Sequence, residues 1–208
     1  MLRQSFSAVC SQTYNTGMDF LENEDEELSF HNHDSNRAVA VVWPAIVENR
    51  LTDALRAYMR HDEKVANELF RPDGALGAFG QKIKLGYMLG LYGQDLNDDL
   101  VLLTKIRNAF AHRVDITGFE VSPVRDWMDK MTTLKVHRAL LERMKKENSQ
   151  DFKGKSALSI LSSELLDYRN SFHLCIRFMI HKLVAVERAI KSRHPANIAP
   201  DETPTTRG

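Results

Sequence analysis

The chain has 208 residues, of which 43% are hydrophobic and 27% charged, a balance typical of a folded globular protein. Lysine plus arginine equals aspartate plus glutamate at 28 each, so the chain lacks the overall basic charge that usually accompanies binding to duplex DNA. The two cysteines, Cys10 and Cys175, are isolated, which excludes a disulfide framework and argues against a zinc site.

No apolar segment is long enough to cross a membrane. The longest run, AVAVVWPAIV at residues 38–47, is about half of the roughly 20 residues that a spanning helix needs. The N-terminal stretch MLRQSFSAVCSQ lacks the continuous apolar core of a signal peptide. Together with the isolated cysteines, these features predict a cytoplasmic protein with no membrane contact.

Residues 1–33 are predicted to form an N-terminal extension that is partly disordered. Residues 1–18 are rich in Ser, Thr and Gln, and the acidic run LENEDEEL at 21–28 is typical of a solvated surface. His31 and His33 could ligate a metal, but no further ligand follows at the spacing of a metal site. We therefore predict neither a metal nor a cofactor.

Helical periodicity begins after this extension. Asp34 or Ser35 is a suitable N-cap for a helix over NRAVAVVWPAIVENRLTDALRAYMRH, with a kink or a restart at Pro44. A short helix, DEKVANELF, follows and ends at RPDG. The apolar positions that recur at helical spacing in the first helix, and therefore form its predicted core face, are Val39, Val42, Ile46, Leu51, Leu55 and Tyr58.

Three glycines, Gly74, Gly77 and Gly80, introduce the next helix, which lies within ALGAFGQKIKLGYMLGLYG. Their spacing matches neither nucleotide-binding fingerprint, since no strand precedes them and no Gly-Lys-Ser/Thr follows. We interpret them as turns and as points where helices approach closely.

The segment LNDDLVLLTKIRNAFAHRVD is the most distinctive part of the chain. It is predicted to form a helix that opens at Asn97 or Asp98 and carries Arg107, Asn108 and His112 near its end. At roughly 100° per residue, Asn108 and His112 lie opposite the core side, and Arg107 lies at the edge between the two faces. The predicted core side consists of Leu102, Leu103, Ile106, Phe110 and Val114.

Two interpretations of this polar group remain open. In the structural one, Arg107 pairs with a carboxylate such as Glu48 or Asp99, and His112 caps a helix end. In the chemical one, the group cleaves RNA without a metal. The spacing Arg–Asn–x–x–x–His resembles the motif of HEPN domains, which implies ribonuclease activity at a dimer interface. Arg107 would then stabilise the phosphate charge, Asn108 would position the substrate and His112 would transfer the proton.

The remainder of the chain is also predicted to be helical. A loop and a short helix are expected in FEVSPVRDWMDKM, a charged connector at 145–155, and a long helix from a cap at Ser156 to Arg193. That helix is apolar around most of its circumference, so it should be buried. It contains YRNSFH, in which Arg169, Asn170 and His173 nearly repeat the motif; we interpret these as polar groups within a buried helix.

The sequence therefore predicts an all-α multi-helix bundle with a long C-terminal helix and no evident helix-turn-helix. We divide it into the extension at 1–33, a helical domain at 34–131, a C-terminal helical extension at 132–191 and a disordered tail at 192–208.

Two long stretches, SNRAVAVVWPAIVENRLTDALRAYM and GALGAFGQKIKLGYMLGLYGQDLNDDLVLLTKIRNAFAHRVD, resemble the mannitol operon repressor family, written MtlR or MltR. The resemblance covers about residues 34–127, where three elements agree in order and spacing. It implies a helical bundle with a role in transcriptional repression.

Three functions follow from these observations. We favour a non-enzymatic transcriptional repressor that acts mainly through protein contacts, with weak or no direct binding to DNA. The alternatives are a metal-independent ribonuclease of a toxin or defence system that uses Arg107, Asn108 and His112, and a helical dimerisation scaffold. A homodimer is predicted in each case, whereas the residues do not decide whether DNA or RNA is bound.

Overall fold

The computed structural model describes residues 35–147 and 167–193, and all regular structure in these residues is helical. The all-α fold with a long C-terminal helix is therefore confirmed. The helices are α1 (Asn36–Tyr58), α2 (Glu63–Phe70), α3 (Phe79–Met88), α4 (Gln94–His112), α5 (Val124–Met128), α6 (Thr132–Glu147) and α7 (Tyr168–Arg193).

Helix α1 is the centre of the bundle, since α3, α4 and α7 all pack against it. It continues through Pro44, so the predicted restart is not observed. The predicted core face of α1 is partly wrong, because Val42 and Tyr58 are 48% and 45% exposed. More than one set of apolar positions in α1 recurs at helical spacing. Because α7 packs along α1, the set that is buried contains Trp43 and Val47.

Helix α7 is buried as predicted and lies along α1. Its side chains pack against those of α1, α5 and α6, so the predicted segments 34–131 and 132–191 contribute to the same core. The fully buried residues of α7 other than Ser171 are Phe172, Cys175, Ile176, Met179 and Leu183.

The motif helix begins earlier than predicted. Helix α4 starts at Gln94 instead of Asn97 or Asp98, with Gly93 as its N-cap. Asp99 is buried in the second turn, where its carboxylate accepts hydrogen bonds from the backbone N–H groups of Thr132 and Thr133 at 2.7 and 2.9 Å. Asp99 therefore serves as a cap for α6, which a sequence search for local N-caps does not reveal.

A second buried polar contact joins α3 to α1. The Nζ atom of Lys82 lies 2.8 Å from Oε1 of Glu48, and the two side chains are only 8% and 16% exposed.

The predicted turn at Gly74 is also explained, because a Cβ atom there would collide with the carbonyl oxygen of Glu68.

Several predictions concern residues outside the described ranges. They are the N-terminal extension with His31, His33 and Cys10, the start of the last helix at Ser156, and the tail at 192–208 from His194 onward. Among the helices that the structure describes, none is long and apolar enough to cross a membrane.

Candidate functional site

The predicted polar group lies in the last two turns of α4, whose end is held by α1. Arg37 donates hydrogen bonds to the carbonyl oxygens of Phe110, Arg113 and Ile116, the last two at 3.1 and 3.2 Å. These contacts satisfy carbonyl groups at the C-terminal end of a helix, where the helix dipole favours a cation. The backbone that carries the motif is thus anchored to the central helix.

Asn108 and His112 are exposed, on the side of α4 away from the core, as the helical spacing predicted. Leu103, Ile106 and Phe110 are fully buried on the opposite side. Val114 was assigned to the same core side but is 91% exposed, because α4 ends at His112 and the chain leaves the helical path.

Arg107 occupies the edge between these faces and is half-buried. Its Nε atom is shielded from solvent and has no hydrogen-bond partner among the described residues. The two carboxylates proposed as its partners are engaged elsewhere, since Glu48 pairs with Lys82 and Asp99 caps α6. A shielded guanidinium nitrogen without an acceptor is unusual in a folded protein.

The near-repeat of the motif in α7 has structural contacts, as predicted. The His173 ring stacks on Trp43 with a centroid distance of 4.7 Å, and Arg169 donates to Oδ1 of Asn36 at 3.1 Å. Burial, followed by the charges of Arg169 and Arg177, lowers the pKa of His173. This ring is therefore a neutral packing element between α1 and α7.

The described residues provide no evident metal centre or reactive thiol. No group of three or more His, Cys, Asp or Glu side chains within 35–147 and 167–193 could hold a metal ion. Burial raises the pKa of the Cys175 thiol, with a further contribution from Asp99. Because the thiolate is the reactive form, Cys175 is an inert core residue.

Sequence reasoning missed a second polar feature, an open cavity of about 210 Å³ where α1, the start of α2 and the end of α7 meet. Asp53 and Glu187 contribute carboxylates to its wall from helices that are far apart in the chain. No local motif marks these residues, since only the packing of α7 on α1 brings them together.

The fold and these surfaces define an all-α bundle with an anchored polar helix end and a charged cavity at α1, α2 and α7. No protein-family model matches the chain, and no curated protein sequence is significantly similar to it.

The bundle has a fold similar to that of a protein of known structure. The chain is similar to one in the X-ray structure of the MtlR–HPr complex from Escherichia coli, with a TM-score of 0.56 and 16% sequence identity. The match covers 79% of this chain and 98% of that chain. The protein therefore has an MtlR-like fold; at this identity the likeness concerns the fold alone.

Proposed function

We propose that this protein is an MtlR-like regulator that represses transcription through contact with a protein partner. The observation that carries the proposal is the fold, which matches 98% of the length of a chain solved in the MtlR–HPr complex. The sequence resemblance that we infer over residues 34–127 points to the same fold, although no protein-family model matches the chain. MtlR forms a complex with HPr, and we infer that this chain likewise acts through a protein contact.

The charge of the chain supports protein contact over direct binding to DNA. Positive and negative side chains are equal in number, and affinity for duplex DNA depends largely on neutralising phosphates. The exposed side of α4 carries Asp98, Lys105, Asn108 and His112, which is a mixed surface rather than a basic one. Such a surface suits a polar protein interface.

A titration with purified Escherichia coli HPr tests the proposal. We expect saturable heat in calorimetry, and no shift of random-sequence or promoter DNA in a gel assay at 0.15 M salt. Sequence-specific DNA binding without any binding of HPr would contradict the proposal and would favour a regulator that recognises DNA directly. Size-exclusion chromatography with light scattering on the same samples would test the predicted homodimer.

Arg107 favours one alternative function, the metal-independent ribonuclease. Its Nε atom is shielded and unpartnered, and the exposed Asn108 and His112 lie within the next turn and a half. In this mechanism the 2′-oxygen attacks phosphorus, the 5′-oxygen leaves with a proton, and His112 transfers protons. Arg107 would stabilise the charge on the phosphoryl oxygens.

An RNA-cleavage assay in EDTA distinguishes this alternative from the regulator. The wild type, Arg107→Ala and His112→Ala are compared after circular dichroism shows that all three are folded. Under the regulator proposal none of them cleaves RNA. Cleavage by the wild type that both substitutions abolish would make the end of α4 an active site.

A further inference from the structure

Helix α2 is held differently from the rest of the bundle. None of its eight residues is fully buried, and no other helix that the structure describes packs along it. Even the five-residue α5 buries Val124 and Met128. A helix as short as α2 is not stable in water without tertiary contacts, so α2 depends on its contacts with the bundle.

Arg56 of α1 contacts α2 at three points. Its Nη1 atom lies 3.3 Å from Oε2 of Glu63, and its Nη2 atom donates to Oδ1 of Asn67 at 2.7 Å. Its guanidinium carbon lies 5.1 Å from the centre of the Phe70 ring. The three residues lie on one face of α2 and include its first and last residues. We call these three contacts the Arg56 clasp.

The turn that follows α2 belongs to the same local unit. The backbone N–H group of Leu76 donates to the carbonyl oxygen of Leu69 at 2.8 Å. A Cβ atom at Gly74 would lie 2.4 Å from the carbonyl oxygen of Glu68, so the turn lies directly against the end of the helix. Residues 62–77 therefore form one compact segment.

The contacts that hold this segment to α1 are weak ones. The side chains of Arg56 and Glu63 are 31% and 79% exposed, and exposed ion pairs and cation–π contacts each contribute little to stability. The core of α1, α4 and α7, by contrast, consists of fully buried side chains. Detaching the segment should therefore need much less free energy than unfolding the bundle.

We propose that residues 62–77 detach from α1 as a unit while the rest of the bundle stays folded, and that the Arg56 clasp controls this opening. The start of α2 and the linker before it form one wall of the cavity at α1, α2 and α7. Detachment removes this wall and converts the cavity into a groove between the ends of α1 and α7. The segment is thus a conformational device that changes this surface without unfolding the protein.

Hydrogen exchange of the full chain, followed by mass spectrometry under native conditions, tests the proposal. We expect the helical amides of residues 66–77 to exchange roughly tenfold or more faster than the core amides of α1 and α4. Arg56→Met keeps the apolar stem and removes the clasp. It should accelerate exchange in residues 66–77 about fivefold and leave exchange in α4 and α7 unchanged.

Two further variants make the test specific. Asn67→Ala removes one acceptor of the clasp but raises helix propensity, so faster exchange in this variant reports the lost contact. Arg125→Met is the matched control, because Arg125 pairs with Asp126 at an exposed position on α5 and does not contact α2. It should leave exchange in residues 66–77 unchanged.

Exchange of residues 66–77 at the rate of the core amides would show that the segment opens only when the whole bundle unfolds, and would overturn the proposal. Equal acceleration along the whole chain in Arg56→Met, or no acceleration at all, would also overturn it. The measurement needs no partner protein, so its outcome is separate from that of the HPr titration.

Discussion

Asp99 is the residue on which the junction of α4 and α6 depends most directly. Its carboxylate is 1% exposed and accepts two backbone hydrogen bonds as well as one from Oγ1 of Thr133 at 2.6 Å. A buried carboxylate is tolerated only when such donors replace water. The charge also lies at the N-terminal end of α6, where the helix dipole favours it.

Asp99→Ala should lower the free energy of unfolding by about 2–4 kcal/mol, because the variant loses charge-assisted hydrogen bonds and leaves buried donors unsatisfied. Urea denaturation followed by circular dichroism measures the change. Asp98→Ala, one residue earlier and exposed, is the control and should change stability by less than about 0.5 kcal/mol. Similar losses in both variants would contradict the capping role.

Two histidines, His137 in α6 and His173 in α7, contact aromatic rings of neighbouring helices. His137 donates from Nδ1 to the carbonyl oxygen of Thr133 at 2.7 Å and meets the Phe178 ring edge-on, while His173 stacks on Trp43. Burial lowers the pKa of His137, although the contact with Thr133 opposes it, and burial also lowers the pKa of His173.

The free energy of unfolding should therefore fall as the pH decreases through about 6.5, the ordinary pKa of histidine. Below that value the unfolded chain binds protons that the folded histidines do not, so stability rises with pH across this window. Thermal melting at a series of pH values from 8 to 5 measures the slope. His137→Gln should make stability less dependent on pH, because the variant lacks one of the two titrating rings. The stability of the variant at pH 8 measures the effect of the substitution on packing alone. An unchanged dependence of stability on pH would contradict the role of His137.

At the scale of elements, the end of α4 depends on a contact from α1. Arg37 is 73 residues from Phe110 in the chain, yet it binds three carbonyl oxygens at the point where α4 ends. Arginine suits this position because its fork of N–H donors reaches several acceptors at once. The orientation of Asn108 and His112 therefore depends on the packing of α1 against α4.

Arg37→Met should retain the aliphatic part of the side chain and lose the three hydrogen bonds, which lowers stability by about 1–3 kcal/mol. Hydrogen exchange should accelerate most at the amides of residues 108–116, because the last turn of α4 then frays. Arg113→Met is the matched control. Its guanidinium pairs with Asp115 at 2.6 Å in an exposed position, and such pairs contribute little.

At the scale of the whole molecule, α7 completes a core that the preceding helices leave open. Four of its large apolar side chains are fully buried, and burial of each contributes about 1.5–3 kcal/mol. This is comparable to the total stability of a typical domain, about 5–15 kcal/mol. The last helix is therefore part of the folding unit.

A chain that ends at residue 147 should lose cooperative thermal unfolding and become sensitive to proteases, because the face of α1 around Trp43 and Val47 is then exposed. Circular dichroism melting and limited trypsin digestion, with the full chain as control, test this. A fragment that melts cooperatively with native helicity would show that residues 36–147 fold alone. Only in that case could α7 be a separate dimerisation surface, as the scaffold alternative requires.

The sequence by itself determined the fold class, the burial of the last helix and the outward position of Asn108 and His112. These follow from local periodicity, since a helix turns by about 100° at each residue and α4 is long enough for its two faces to be distinct. The resemblance to the MtlR family over residues 34–127 also came from continuous segments, and the structure supports it at the level of the fold.

Only the tertiary structure decided which apolar stripe of α1 is buried, which carboxylate caps α6 and which cation caps α4. It also decided that Arg107 has neither Glu48 nor Asp99 as a partner, and that Asp53 and Glu187 share a cavity. Each of these contacts joins residues that are far apart in the chain. A local pattern limits which face a side chain can occupy, but the neighbour that meets that face is set by helix packing.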